Sequence, residues 1–211
     1  MPRRVDHDER RRQITDALLR IASTRGLQAV TMREVAAEAG VSLRLVQYYA
    51  TDKRTLLLGG LAELAARLDR RVKARAAARG GPLTARGVLE VVLGAVLPDD
   101  EQGRLDSLAW TAFHAAGLTD PSLRDPSLVQ SGLSYPNALE EWLVARMAGV
   151  QASGEFPADL DARTEVAALL ALANGLTASV LAGQRSAEQA TAILHAQLDR
   201  LFGTQQAGRP L

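Results

Sequence analysis

The stretch TMREVAAEAGVSLRLVQYYATDK, from Thr31 to Lys53, limits what this chain can fold into more than any other part of it. Thr31 stands three residues before Glu34, the spacing at which each side chain can satisfy a free backbone N–H in the first turn of a helix. Met32, Val35, Ala36 and Ala39 give that helix one apolar stripe. Gly40 then allows a turn, Val41 anchors it, and Ser42 is a good N-cap for a further helix ending near Tyr49. Two short helices joined by a glycine turn make a helix-turn-helix. In the second of them Leu45 and Val46 are expected to face inward, leaving Leu43, Arg44, Gln47 and Tyr48 or Tyr49 outward. Long donors such as Arg44 or Gln47 suit base edges in a major groove, while hydroxyls, a lysine and a helix N-terminus suit phosphates. The competing reading is a small helical subdomain with a solvated face.

Apolar residues at helical spacing, Ile14, Ala17, Leu18, Ile21 and Ala22, predict a helix from Asp8 to Thr24, with Gly26 at its C-terminal end. A long helix is predicted from Asp52 or Lys53 to about Arg79, with Leu56, Leu57, Leu64, Leu68 and Val72 inside. Its Gly59-Gly60 pair costs about 1 kcal/mol per residue relative to alanine, so close packing against the first helix is expected in preference to a hinge. Gly80-Gly81-Pro82 is the clearest break in the chain. Helical patterns then fill residues 84 to 97, 101 to 117, 134 to 149, 160 to 182 and 187 to 202, and Ser186 with Gln189 forms a second capping box. Aromatics make up only 4% of the chain and strand-like β-branched runs are missing, so the expected fold is all-α. The last two helices carry apolar stripes wider than one neighbour covers. A two-fold dimer through them would bury the excess, with burial inside one chain as the alternative.

The net charge of +1 hides an asymmetry across Gly80. Residues 1 to 80 hold 17 Lys and Arg against 9 Asp and Glu, and the remainder holds 8 against 15. A basic head on an acidic body suggests that the head meets a polyanion. The charged N-terminus and the lack of an apolar run of about 18 residues predict a soluble, cytoplasmic protein with no membrane partner. There is no cysteine, His7, His114 and His195 are scattered, and neither a G-x-S-x-G elbow nor a glycine-rich phosphate loop occurs. Asp99, Asp100 and Glu101 lie where a helix dipole favours carboxylates. Neither an enzyme nor a metal or cofactor site is expected.

From about Arg10 to Leu57 the chain resembles the TetR family of one-component transcriptional regulators. The match lies in Gly26, TMREVAAEAGVS, VQYY, Lys53 and Leu56. The resemblance implies a homodimer, most often a repressor, on a pseudo-palindromic site in double-stranded DNA. Residues 1 to 55 would bind DNA, and residues 56 to 211 would bind a small-molecule effector and dimerise through the last two helices. Carried over by position, Thr31 and Ser42 fall where phosphates are touched and Arg44 and Gln47 where bases are read. Tyr48, Tyr49 and Lys53 fall where backbone contacts cluster, with Arg33 and Leu43 on the same surface. Ala50 departs from the family, which usually has phenylalanine after the tyrosine pair, and that puts the packing of this helix in question. The segment LAWTAFHAAGLTDPSLR also resembles the sensor domain of the choline-responsive regulators of betaine synthesis. A helical ligand-binding protein whose head no longer regulates is the alternative.

In the body, Trp110, Phe113 and His114 share a predicted helix face and either line a pocket or form ordinary core with a satisfied histidine. Asn174 and Thr177 interrupt an apolar helix. A buried amide there needs a ligand, a water or a dimer partner, because leaving it unpaired costs about 1 to 3 kcal/mol. Trp142 is pocket wall or interface.

Overall fold

A computed structural model describes residues 3–119 and 135–203. Among the described residues all regular structure is helical. The order is α1 (Arg3–Arg25), a 3-10 turn (Leu27–Ala29), α2 (Met32–Ala39), α3 (Leu43–Tyr49), α4 (Lys53–Arg79), α5 (Ala85–Val96), α6 (Glu101–Thr119), α7 (Tyr135–Gly149), α8 (Ala162–Leu181) and α9 (Ala187–Gly203). The all-α expectation holds. The first helix starts five residues earlier than its apolar periodicity indicates, because that periodicity reports only the buried face. The residues Asp120 to Arg124 of the sensor-like segment lie outside the described residues.

The chain packs as two compact units. One holds the described residues of Met1–Arg67 and Arg104–Ser134, the other those of Leu68–Gly103 and Tyr135–Leu211. These units differ from the single boundary expected between residues 55 and 56. Ala109 and Phe113 of α6 are buried with the head residues Ile14, Leu18, Ile21, Val35, Val46, Leu57 and Leu64, so α6 from Arg104 onward belongs to the first unit.

Gly60 explains how α4 tolerates its glycine pair. A Cβ there would lie 2.6 Å from a methyl of Leu18 on α1 and 3.3 Å from the Phe113 ring. The missing side chain is therefore what lets α4 approach α1 and α6 this closely, as the packing explanation requires. Gly59 is different, since its nearest neighbour would be Thr15 Cγ2 at an ordinary 3.6 Å. One turn beyond Leu64, Arg67 donates to Asp16 of α1 at 2.5 Å and to Asp106 of α6 at 2.6 Å, and it pairs with Glu63 on its own helix at 3.3 Å. Burial works against the Arg67 charge, yet the surrounding carboxylates, Asp106 first, hold its pKa above the ordinary value.

In the second unit, Leu89, Val92 and Leu93 of α5 are buried with Leu143 and Met147 of α7, Val166, Leu169 and Leu176 of α8, and Leu194 and Leu198 of α9. Phe156, fully buried, meets Phe202 edge to face with ring centres 6.0 Å apart. Among the described residues α8 is the one helix long and apolar enough to cross a membrane by composition, with a mean hydropathy of 1.5 over an 18-residue window. It contributes five buried apolar residues, Ala162, Val166, Leu169, Ala173 and Leu176, to this core. Arg71 of α4 bonds the Leu97 carbonyl and pairs with Asp99 and Asp100, Arg75 also pairs with Asp99, and Asp100 accepts the Gly103 N–H at the start of α6. The acidic cluster is thus a cap and an arginine partner.

The contrast between the two glycines can be measured by urea denaturation. Gly59→Ala gains helix propensity at no steric cost and should be as stable as the wild type or more so. Gly60→Ala should lie below it, with a gap of about 1 to 3 kcal/mol between the two variants from overpacking.

Candidate nucleic-acid interface

The helix-turn-helix is built by local bonds that the sequence pattern names almost completely. Thr31 Oγ1 accepts the Glu34 N–H at 3.1 Å, and Ser42 Oγ accepts the Leu45 N–H at 3.2 Å. Between them Gly40 adopts φ 64° and ψ 34°, a left-handed conformation in which a side chain is strained. Its N–H reaches the Ala37 carbonyl at 3.2 Å while that of Val41 reaches Ala36 at 3.0 Å, the paired bonds of a Schellman turn. Gln13 of α1 donates from its side chain to the Ala39 carbonyl at 2.7 Å, holding the end of α2 from outside the motif.

One half of the expected capping box is absent. The Glu34 carboxylate pairs with Arg25 Nη1 at 2.8 Å, at the end of α1, instead of returning to the backbone of Thr31. Arg20 likewise pairs with Glu38 at 2.9 Å. By contrast, Ser186 and Gln189 make both bonds of a capping box before α9.

The inward face of α3 also differs from expectation. Val46 is fully buried, and Leu43 and Tyr49, three residues to either side of it, pack at the edge of the head's core, whereas Leu45 is only half-buried and is not among the side chains packed there. Helical spacing puts residues 43, 46, 49 and 50 on one side, so Leu43 takes the inward place assigned to Leu45. Ala50 is 4% exposed and its N–H bonds the Val46 carbonyl at 2.9 Å, so a small residue completes that side of the helix.

Thr31, Arg33, Ser42, Arg44, Gln47, Tyr48 and Lys53 are each exposed, Tyr48 to 70%. Among the described residues Arg33, Arg44 and Lys53 have no ion pair or side-chain hydrogen bond, while Arg20 and Arg25 are tied to the glutamates of α2. Asp52, just before α4, accepts the Thr55 N–H at 2.7 Å, and that bond holds its carboxyl below the ordinary range. The acid nearest to Lys53 in sequence is therefore engaged as a helix cap.

The residues considered for a ligand are divided between the two units. Trp110, Phe113 and His114 belong to the first unit, and Trp142, Asn174 and Thr177 to the second. Phe113 is 5% exposed in the core beside Gly60, Trp110 packs at the edge of that core, and His114 is exposed. Asn174 is exposed in the single chain, Thr177 donates to the Val96 carbonyl at 3.3 Å, and Trp142 is 52% exposed. Missing from the sequence reading are Gln13, the Arg20 and Arg25 pairs, and His7, which meets Tyr49. All are contacts between residues far apart in the chain, and no local spacing signals them.

An exposed recognition helix, a left-handed glycine turn and unpaired exposed cations define a helix-turn-helix DNA-binding protein. Comparison with known proteins agrees. Residues 14–59 match the bacterial regulatory proteins of the tetR family, and residues 85–203 match the C-terminal region of BetI-type transcriptional repressors. The regulator PksA of Bacillus subtilis is 31% identical over a stretch covering 60% of this chain and 60% of that protein. The regulator BetI of Burkholderia thailandensis is 30% identical over 69% of this chain and 73% of that protein. The crystal structure of a TetR-family regulator from Rhodococcus sp. superposes with a TM-score of 0.81 at 28% identity, covering 92% of this chain and 99% of that one. A regulator from Saccharomonospora viridis, crystallised with choline, has a TM-score of 0.74 at 24% identity over 91% of this chain and 96% of that one, and shares the fold. The chain belongs to the TetR family of transcriptional regulators, with a BetI-type C-terminal domain.

The cap at Ser42 gives a direct test of how the recognition helix is held. Ser42→Ala should lower stability by about 0.5 to 2 kcal/mol and Ser42→Asp should restore most of it, read by urea denaturation of the two variants.

Proposed function

We propose that this regulator is a homodimeric, ligand-responsive repressor, in which Arg44 and Gln47 read base edges. Thr31, Ser42, Tyr48, Tyr49 and Lys53 hold phosphates, with Arg33 beside them. The observation that carries this reading is the sorting of charge in the head: Arg20 and Arg25 are neutralised by Glu38 and Glu34, whereas Arg33, Arg44 and Lys53 stay exposed and unpaired among the described residues. A polyanion finds Arg33, Arg44 and Lys53 free to meet it.

Residues 1–55 are the DNA-binding part in this reading, and residues 56–211 serve effector binding and dimerisation. The dimer forms through the last two helices, α8 and α9, so that two recognition helices address successive major grooves about 34 to 36 Å apart. An effector that favours another spacing then releases the DNA by its differential affinity for the two states. Choline, held by the Saccharomonospora viridis neighbour, is the first compound to titrate.

Selection of bound fragments from random duplex DNA at near-physiological salt should enrich an inverted repeat with half-site centres about 10 base pairs apart. On that duplex, Arg44→Ala with Gln47→Ala should reduce sequence preference at least about tenfold, from the loss of base contacts worth about 1 to 3 kcal/mol each. Lys53→Ala should instead weaken binding to all duplexes alike and reduce the salt slope by about one. No enrichment from a dimeric preparation free of small molecules would sink the reading.

A further inference from the structure

His7 lies on the first turns of α1, forty-two residues before Tyr49, yet the two meet at the DNA-facing end of α3. His7 Nδ1 and Tyr49 Oη are 2.8 Å apart. The imidazole also stacks on Tyr48, with ring centres 6.2 Å apart and planes at 29°, and the two tyrosines meet edge to face at 5.2 Å. His7 and Tyr48 are exposed and Tyr49 is half-buried, so this three-ring cluster is open to an approaching duplex.

A phosphate oxygen can only accept hydrogen bonds, so a tyrosine hydroxyl serves it only by pointing its proton outward. In a neutral imidazole with its proton on Nε2, Nδ1 is an acceptor and the Tyr49 O–H must donate to it, which directs the phenolic proton away from DNA. In an imidazolium, Nδ1–H donates to the Tyr49 oxygen instead. The phenolic O–H is then free to turn toward a phosphate, Nε2–H becomes a second, charged donor, and the cation rests against the face of Tyr48.

We propose that His7 is a positioning residue for DNA binding: its neutral Nε2–H form accepts from the Tyr49 hydroxyl, and protonation reverses that hydrogen bond and turns the hydroxyl into a phosphate donor. The inference rests on the reading of Tyr48 and Tyr49 as backbone-contact residues, and it adds to that reading a proton taken up on binding. Histidine is the side chain whose charge ordinarily changes between pH 5 and 8, so the effect falls in a range where the protein can be assayed.

The charged side chains nearest in sequence among the described residues are Asp8, Glu9, Arg10 and Arg11 on α1, Arg44 on α3, and Asp52 and Lys53 just after it. Arg10 donates to Gln13 and Asp52 caps α4, so each is already engaged. Phosphates brought beside an imidazole favour its charged form, so binding takes up a proton.

The test uses the full-length protein and its selected duplex, with affinity measured from pH 8 to pH 6 at constant salt. Wild-type affinity should rise about fivefold or more as pH falls, the tenfold per pH unit of a one-proton linkage being the ceiling for each head. His7→Gln, which keeps hydrogen-bonding capacity but cannot be charged, should flatten that rise. Tyr49→Phe should remove part of it, and the double variant should be no flatter than His7→Gln alone. Circular dichroism of each variant confirms the fold at both ends of the pH range. A His7→Gln profile that overlays the wild type, or a wild-type affinity that does not change with pH, overturns the proposal while leaving the regulator reading intact. A wild-type protein that selects no duplex at any pH overturns both.

Discussion

What the head can present depends on the left-handed turn at Gly40. With φ at 64° and both Schellman bonds made, the chain leaves α2 and enters α3 along one fixed path, and Gln13 secures the last carbonyls of α2 from the neighbouring helix. The direction of α3, and with it the set of side chains on its outer face, follows from that path. Val46 and Ala50 then fix the rotation of α3 about its own axis, because no other side of the helix fits the core. Arg44, Gln47 and Tyr48 are exposed as a consequence of where Val46 is buried.

A second constraint acts along α4. Its glycine at position 60 admits a methyl of Leu18 and the Phe113 ring, and two turns further on Arg67 ties together carboxylates from three helices. Close backbone approach and a shared arginine thus hold α1, α4 and α6 at neighbouring levels of the same helix. Lysine at 67 could not replace that arrangement, since a single ammonium lacks the planar fork that serves Asp16 and Asp106 from separate nitrogens.

The parts of this structure that were readable in the sequence are those encoded within a few residues of each other. The caps at Thr31, Ser42 and Ser186, the glycine turn and the apolar stripes of the long helices all rest on spacings of three or four residues. Where two readings competed over such a spacing, tertiary contact decided. Leu43 and Leu45 are equally apolar, and only the position of the core beneath α3 selects Leu43. Glu34 had a local partner in the backbone of Thr31 and took Arg25 instead, a residue brought close by the packing of α1 on α2. Asn174 differs again: an amide amid apolar neighbours suggests burial, and within one chain it lies on the outward side of α8. The role of Gly60 was readable as a cost to be compensated, whereas its compensating partner on α6 was not, because nothing near position 113 refers to position 60.

The glutamates of α2 have a consequence for how such a protein finds its site. A regulator of this kind must travel over a great length of unrelated DNA, held by charge alone, before it meets its operator. By pairing with Arg20 and Arg25, Glu34 and Glu38 take two cations of the head out of competition for phosphates. Fewer free cations mean a weaker hold on unrelated duplexes and a shorter dwell on each wrong one. The same two carboxylates that brace α1 against α2 therefore help set the speed of the search.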